Sequence, residues 1–471
     1  MSDVTLRKRE RLRAVLDREA TYTMGALIPT PDIGNGGNRR HNPGWVYVVF
    51  GAMVHIHGSE RQAAVELADP IHWRMVQRSG KHRFPNDPTM WASETPMTRG
   101  SYRFVKTRYI TLDTTLDAVL DCHETASQAD ATHIGVLTGT TGSLTHPDKT
   151  NLIYGDGKIV KARYKDQRAE PAKIDPATGE IRAKQFDSEA DDFITGGGSE
   201  VYGHNFVHLD ARNSNENERL ILTVAYAPKK GGEAMVALEL FNRVLPRYLN
   251  TQAVVYDMAL RGTHIHAIQC THGVPAIVKV PKNRLGEPDD VHLGAAHWTN
   301  ARGEAGTLDI HLIDGEPFIK TLDVEGQQSF ATLLRIKTTR VQRADKTWRL
   351  YNTYIVPTEF GGGCLRIRLD QTDADRKRLN PKTKQPFNRE EHLRAIPVGD
   401  PDFAHAHGIR QDAESHHRKL DDSMTREWAH SVGRQHQTWD MLMWAHTQNA
   451  LAVAYHDKRR MLEAAKTIKA A

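Results

Sequence analysis

The chain is poor in cysteine: Cys122, Cys270 and Cys364 are the only three in 471 residues. They are widely spaced and odd in number, so no disulfide framework is implied, and a reducing cytoplasm is the simplest setting. No run approaches the roughly 18 consecutive apolar residues that a membrane helix needs. The basic stretch through Arg13 has no apolar segment behind it, which argues against a secretory signal. Neither a CxxC nor an HExxH pattern occurs. His264, His266, Cys270 and His272 are therefore expected to be packed or exposed side chains, not a zinc site. Their i, i+2 spacing would set each pair on one face of a strand. Internal repeats are also absent.

What is present fits a folded, non-membrane protein: 39% hydrophobic and 26% charged residues. The length suggests about three domains. The net charge of +5 is only mildly basic, but positive charge concentrates at Arg7–Arg13, Arg74–Arg108 and Lys458–Lys469. Such clusters are the electrostatic footprint of a nucleic-acid binder, or else solvated faces.

Pro29, Pro31, Pro43 and Gly34–Arg40 make the start irregular, with a basic helix at 4–18. Residues 45–57 are a buried helix or strand, helix slightly favoured. Ser59-Glu-Arg-Gln62 has capping-box spacing, and Asp69-Pro70 offers an N-cap with proline at the first helical position. Two short helices, the second over Ile71–Arg78, would form a helix-turn-helix or an ordinary helical hairpin. Residues 111–129 read as an amphipathic helix. Strand-like runs follow at His133–Thr138, Asn151–Tyr164, Phe206–Arg212 and Arg219–Tyr226, with a polar surface loop at Lys165–Gly203. Glu233–Val244 has helical periodicity, and Ala253–Tyr256 and Pro275–Val280 are strands.

From Asn151 the order is three strands that can form an antiparallel meander, a helix, then strands that pair in parallel. That is the order of the ribonuclease H-like fold. Asp156 lies on the first long strand and Asp257 at the end of the fourth, where open α/β sheets usually place ligands. The Asp156-Gly157 pair is alternatively a hairpin turn, and Asp257 alternatively a turn residue. Residues 285–400 read as a β-rich insert, with strands at Gly306–Leu312, Ala331–Lys337, Trp348–Val356 and Cys364–Leu369. Trp298 and Trp348 on it are core residues, or platforms for an unpaired base. Helices return after Ala404, and a long one runs from Trp439 to about Ala465.

If that closing part meets the sheet, Glu414, or its rival Asp412, joins Asp156 and Asp257. Three converging carboxylates need a counter-charge. Hard oxygen ligands favour Mg²⁺, or Mn²⁺ in its place. Two such ions about 3.5–4 Å apart serve phosphodiester cleavage.

On Tyr154-Gly-Asp156-Gly-Lys-Ile-Val160, Val255-Tyr-Asp257-Met-Ala-Leu-Arg-Gly262 and Arg410-Gln-Asp-Ala-Glu414 the chain resembles DDE-class transposases of bacterial insertion sequences, over roughly residues 130–455. One branch carries a β-rich insert and a Y-x2-R-x3-E-x6-K pattern. Arg410 and Glu414 fit it; His407 stands at the Tyr place and Asp421 at the Lys place, with Lys419 two residues earlier. The resemblance implies an α/β protein: a helical, basic DNA-binding region at 1–130, a ribonuclease H-like domain beginning at 131–284, the insert at 285–400, and the catalytic and C-terminal helices at 401–471. It implies Asp156, Asp257 and Glu414 as catalytic and metal-holding residues with two Mg²⁺ ions. Arg410, Lys419 and His407 would contact DNA phosphate. The partners would be double-stranded DNA, as terminal inverted repeats and target, and a second copy of the chain. The setting would be the bacterial nucleoid. A nuclease without strand transfer, and a degenerate transposase kept for DNA binding, are the alternatives.

Overall fold

The computed structural model describes every residue except 1–4, 30–41, 172–173, 175–176, 180, 182–183, 196, 229–231, 282–289, 301, 323–326, 380–383 and 471. The Gly34–Arg40 loop thus lies outside the described residues. The protein is mixed α/β and divides into two compact units. One comprises 1–135, 157–236 and 414–471, the other 136–156 and 237–413. No described helix is long and apolar enough to cross a membrane.

The first unit begins with α1 (Lys8–Leu16), α2 (Glu19–Ala26) and α3 (Gly44–His57). Every residue of α3 from Gly44 to His55 is buried. A helix apolar on all sides belongs in a core, which settles the helix-or-strand ambiguity of this run. Its close packing on α2 requires glycine. A Cβ on Gly44 would stand 1.9 Å from the Gly25 carbonyl oxygen, and one on Gly25 2.2 Å from the Trp45 nitrogen. The short helices α4 (Glu60–Ala68) and α5 (Pro70–Arg83) follow. Ser59 Oγ accepts from the Gln62 N–H at 3.2 Å, and Asp69 from the Ile71 N–H at 2.7 Å. Each cap satisfies donors left open at a helix start. Arg74, Arg78, Lys81 and Arg83 are exposed along α5.

After α6 (Arg99–Val105), α7 (Asp113–Ile134) runs further than expected. It absorbs His133 and Ile134, so the strand expected at His133–Thr138 does not form. Asp130, Ala131 and Ile134 are buried at helical spacing, Arg18 pairs with Asp130, and Gly135 stops the helix at φ 78°.

β1 (Leu152–Lys161) gives its later half to this unit, beside β3 (Glu200–Arg212). β3 pairs antiparallel with β2 (Asp191–Ile194) and with β4 (Arg219–Ala227). β2 is a strand inside the segment read as a loop. Asp156-Gly157 lies within β1 and is no hairpin turn.

In the second unit the first half of β1 pairs in parallel with β5 (Ala253–Val255), Leu152 opposite Ala253. β5 pairs in parallel with β6 (Ala276–Ile277). α8 (Glu233–Val244) leads into β5, and α9 (Gly262–His272) links β5 to β6. His264 and His266 thus lie on a helix, not a strand; Gly262 starts it and Gly273 ends it at φ 67°. A separate antiparallel sheet holds β7 (Val291–Thr299), β8 (Ala305–Ile313), β9 (Glu316–Leu322), β10 (Gln328–Thr332), β11 (Leu334–Gln342), β12 (Trp348–Ile355) and β13 (Cys364–Arg368). Its order is β10-β9-β8-β7-β13-β12-β11. β7 and β9 escaped the sequence reading. Trp298 and Trp348 pack against its core.

Two short helices, α10 (Asp373–Lys377) and α11 (Arg389–His392), precede α12 (Pro401–His407) and α13 (Gln411–Asp422). Phe403, Ala406, Ile409 and Ala413 pack against Leu152, Tyr154, Ala253 and Val255. α13 continues into the first unit, where α14 (Arg434–Ala470) packs on α3, α7 and β4.

Burial sets an acid sensitivity. His123 on α7 is 1% exposed, and its Nε2 donates to the Ile221 carbonyl at 2.9 Å. Burial pushes its pKa from 6.5 down to about 4. The unfolded chain therefore takes up this proton first as pH falls. The associated stability is complete above pH 6.5 and is lost as pH falls toward 4, about 2–3 kcal/mol for this group. Urea unfolding at pH 7 and 4.5 should show that loss, and His123→Gln should flatten it.

Candidate active site

β1 and β5 are parallel neighbours, so their C-terminal ends point the same way. Asp156 is four residues past Leu152 on β1, and Asp257 follows β5 by two. The 152–253 register brings the two together: a carboxylate oxygen of each lies within 4.8 Å of the other. Asp156 is 8% exposed and Asp257 half-buried. Asp257 Oδ1 also accepts from the Ala259 N–H at 2.8 Å, the turn role that the sequence left open.

Arg410 supplies the nearby positive charge. It ends the turn between α12 and α13, and its Nη2 donates to Asp156 Oδ2 at 3.3 Å. Its Nε is buried and has no partner among the described residues. That is a guanidinium with a donor to spare beside a carboxylate pair. His407, three residues earlier, is stacked on Phe403 with ring centroids 4.8 Å apart. Burial, with help from Lys279 and Arg410, pushes its pKa down to about 4, so at neutral pH it is an uncharged hydrogen-bonding ring. The start of α12, which leads to this turn, is held from the insert. Buried Arg335 on β11 donates Nε to Asp400 at 2.6 Å and Nη2 to Asp402 at 2.8 Å, at the start of α12.

Glu414 stands where α13 enters the first unit and is exposed, whereas Asp412 is 6% exposed. Lys419 is half-buried on the same helix. In the first unit α13 is pinned to β3 by a carboxylate between two imidazoles. Asp210, fully buried, accepts from His208 Nδ1 and from His416 Nδ1, each at 2.9 Å. Burial raises the Asp210 pKa, but the two histidines outweigh it and hold the carboxyl well below its usual range. Asp421, at the place of the signature lysine, pairs instead with a lysine from β1: Lys158 Nζ lies 2.7 Å from its Oδ2.

Glu233, the first residue of α8, is a carboxylate that sequence reasoning did not single out. A Cβ on Gly157, the residue after Asp156, would fall 2.2 Å from Glu233 Oε2. Only glycine lets this carboxylate lie against the strand. Its signal in the sequence was an acidic first-turn residue paired with an Asp-Gly step. The His208–Asp210–His416 bridge had none, because His416 lies more than 200 residues from the other two.

No family model matches the chain, and a search of curated proteins finds no match.

Asp156 and Asp257 offer hard oxygen donors of one sign at short range, the donor chemistry of Mg²⁺ or Mn²⁺. With His, Cys and Met absent from the pair, softer metals gain nothing there. Adding Mg²⁺ to the metal-free protein should raise its thermal midpoint, and Asp156→Asn and Asp257→Asn should each remove most of the rise. Differential scanning fluorimetry with and without EDTA checks this. Asn keeps the oxygen that caps the 257–259 turn, so the fold survives the second change.

Proposed function

We propose that the protein is a DDE-type transposase with a ribonuclease H-like catalytic domain, acting on the ends of a mobile DNA element. The observation that carries this reading is the meeting of Asp156 and Asp257 on adjacent parallel strands, with Arg410 on the carboxylate of the first. The strand pattern supports it: β3 and β4 on the chain after β1 pair antiparallel with each other, and after one helix β5 pairs in parallel with β1 and with β6. So does the seven-stranded insert between Asp257 and α13. The exposed cations of α5, on a capped pair of short helices, suit contact with DNA phosphates.

Asp156 and Asp257 would hold Mg²⁺, which when bound activates a water and stabilises the departing oxygen. The remaining work falls to the chain. The guanidinium of Arg410, partly exposed beside Asp156, would donate to a phosphate oxygen and fix the strand. His407, uncharged, can donate a further N–H. In hydrolysis a water oxygen bonds to phosphorus and the DNA 3′ oxygen leaves, taking a proton. In strand transfer that 3′-hydroxyl then attacks a phosphate of the target strand. The third carboxylate is Glu414 by its place in the signature motif, with Glu233 as the competitor that its packing on Gly157 raises. Synapsis of two DNA ends would need a second copy of the chain.

A degenerate, DNA-binding-only form is the second reading. The departures from the signature favour it: His407 stands at the Tyr place and Asp421 at the Lys place.

The deciding experiment uses duplex DNA carrying the inverted repeats that flank the reading frame. Nicking and joined products should appear with Mg²⁺. Asp257→Asn should lower both by at least about 10³-fold, as loss of a main electrostatic catalytic group does, while DNA binding persists. Undiminished cleavage by that variant rejects the assignment. Specific binding without cleavage in Mg²⁺ or Mn²⁺ supports the degenerate form. Glu414→Gln and Glu233→Gln, run alongside, show which glutamate completes the set.

A further inference from the structure

A cavity lined by residues of several elements lies within the first unit. It measures about 490 Å³, within the roughly 300–1,000 Å³ range of small-molecule sites. Its wall carries five arginines, Arg61, Arg99, Arg103, Arg163 and Arg426. The one carboxylate in the lining is Glu60, which is buried and accepts from Arg103 Nε at 2.5 Å. Guanidinium groups in such excess make a place for an anion with several oxygens.

Two aromatic rings share the same wall. Tyr164 is 36% exposed and Trp428 38% exposed, unlike the fully buried Trp45, Trp439 and Trp444. Large half-open rings beside arginines are the equipment of a stacking platform.

The cavity is built, not incidental. The 428–430 segment runs on from β1 as a short parallel bridge, Lys161 to Trp428, and the Ala429 N–H donates to the Lys161 carbonyl at 2.9 Å. Arg163 Nη1 donates to the His430 carbonyl. The turn before Trp428 places Arg426 and Glu427 at φ 56° and 61°, two successive non-glycine residues in the left-handed region. Such a conformation persists only where its surroundings impose it, and it gathers at ligand sites. Here Lys161 Nζ holds Glu427 at 2.5 Å, and Thr425 Oγ1 donates to the Gly58 carbonyl at 3.2 Å. The strained turn sets Arg426 and Trp428 on one cavity wall.

We infer that this cavity binds a nucleoside phosphate, with the phosphate among the arginines and the base against Trp428 and Tyr164. The inference rests on the first unit alone and uses neither Asp156 nor Asp257. The same chemistry has two sources: a free mononucleotide, or an unpaired residue of a DNA strand.

The test titrates the full-length protein with dTMP, with a short single-stranded oligothymidylate, and with inorganic phosphate, following tryptophan fluorescence and calorimetry. At least one of the two thymidine ligands should bind more tightly than inorganic phosphate and quench fluorescence. Trp428→Ala should weaken that binding at least about five-fold, the low end for loss of one base stack. Trp428→Phe should keep most of the affinity and lose the quench. Arg426→Gly removes a guanidinium while suiting the left-handed backbone, and Arg99→Ala removes an exposed one. Both should weaken binding and steepen no salt dependence. Tighter binding of the oligonucleotide assigns the site to a DNA strand, and tighter binding of dTMP to a free nucleotide. Absence of binding by both, phosphate binding as tightly as the tighter of the two, or affinities unchanged by Arg99→Ala would overturn the inference. Arg99→Ala also decides the matter should Trp428→Ala fail to fold.

Discussion

Two carboxylates held close on neighbouring parallel strands repel each other unless positive charge is near. This constraint shapes much of the second unit. Asp156 cannot move, because it is part of a strand whose register with β5 is fixed by three successive pairs, Leu152, Ile153 and Tyr154 with Ala253, Val254 and Val255. Asp257 is held by its own turn. The compensating charge therefore has to be brought to them, and the α12–α13 turn brings Arg410. The apolar side of that turn packs on the strands through Phe403, Ala406, Ile409 and Ala413.

The helices that carry the motif are fastened by buried polar pairs and not by apolar contact alone. Arg335 reaches from the insert to Asp400 and Asp402 at the start of α12. Asp210 and His208 on β3 hold His416 on α13. Each of these groups would be costly to bury unpaired, so each pairing fixes one geometry. In this arrangement the β-rich insert is more than a decoration between Asp257 and Arg410: one of its side chains holds the start of α12, the helix that leads to Arg410. Burial also leaves several histidines neutral. His407 gains a stacked, uncharged ring beside Arg410, and His123 becomes a site of acid sensitivity.

Much of this was legible in the chain. The strand, helix and strand pattern around Asp156 and Asp257 could be read because short β-branched runs and a helical apolar period are local signals. The caps at Ser59 and Asp69 were legible for the same reason. Residues 133–138 misled, since Ile, Val and Leu favour a strand while tertiary burial of Asp130 and Ile134 kept the helix going to Gly135. The His264–Cys270 spacing misled likewise, because an alternation of polar and apolar residues over seven positions does not separate strand from helix. β7 and β9 were missed: glycine, histidine and charge interrupt their alternation, and only pairing with β8 makes them strands.

The sequence alone determined the mixed α/β composition, the two aspartates at strand positions, the arginine at the start of α13, and the β-rich stretch that separates them. These depend on neighbours within a few residues. Tertiary structure decided that Asp156 meets Asp257, that Arg410 lies on Asp156, that Lys158 answers Asp421, that Glu233 rests on Gly157, and that five distant arginines line one cavity with Trp428. Each joins residues far apart in the chain, and no local period encodes the pairing register or the burial that brings such residues face to face.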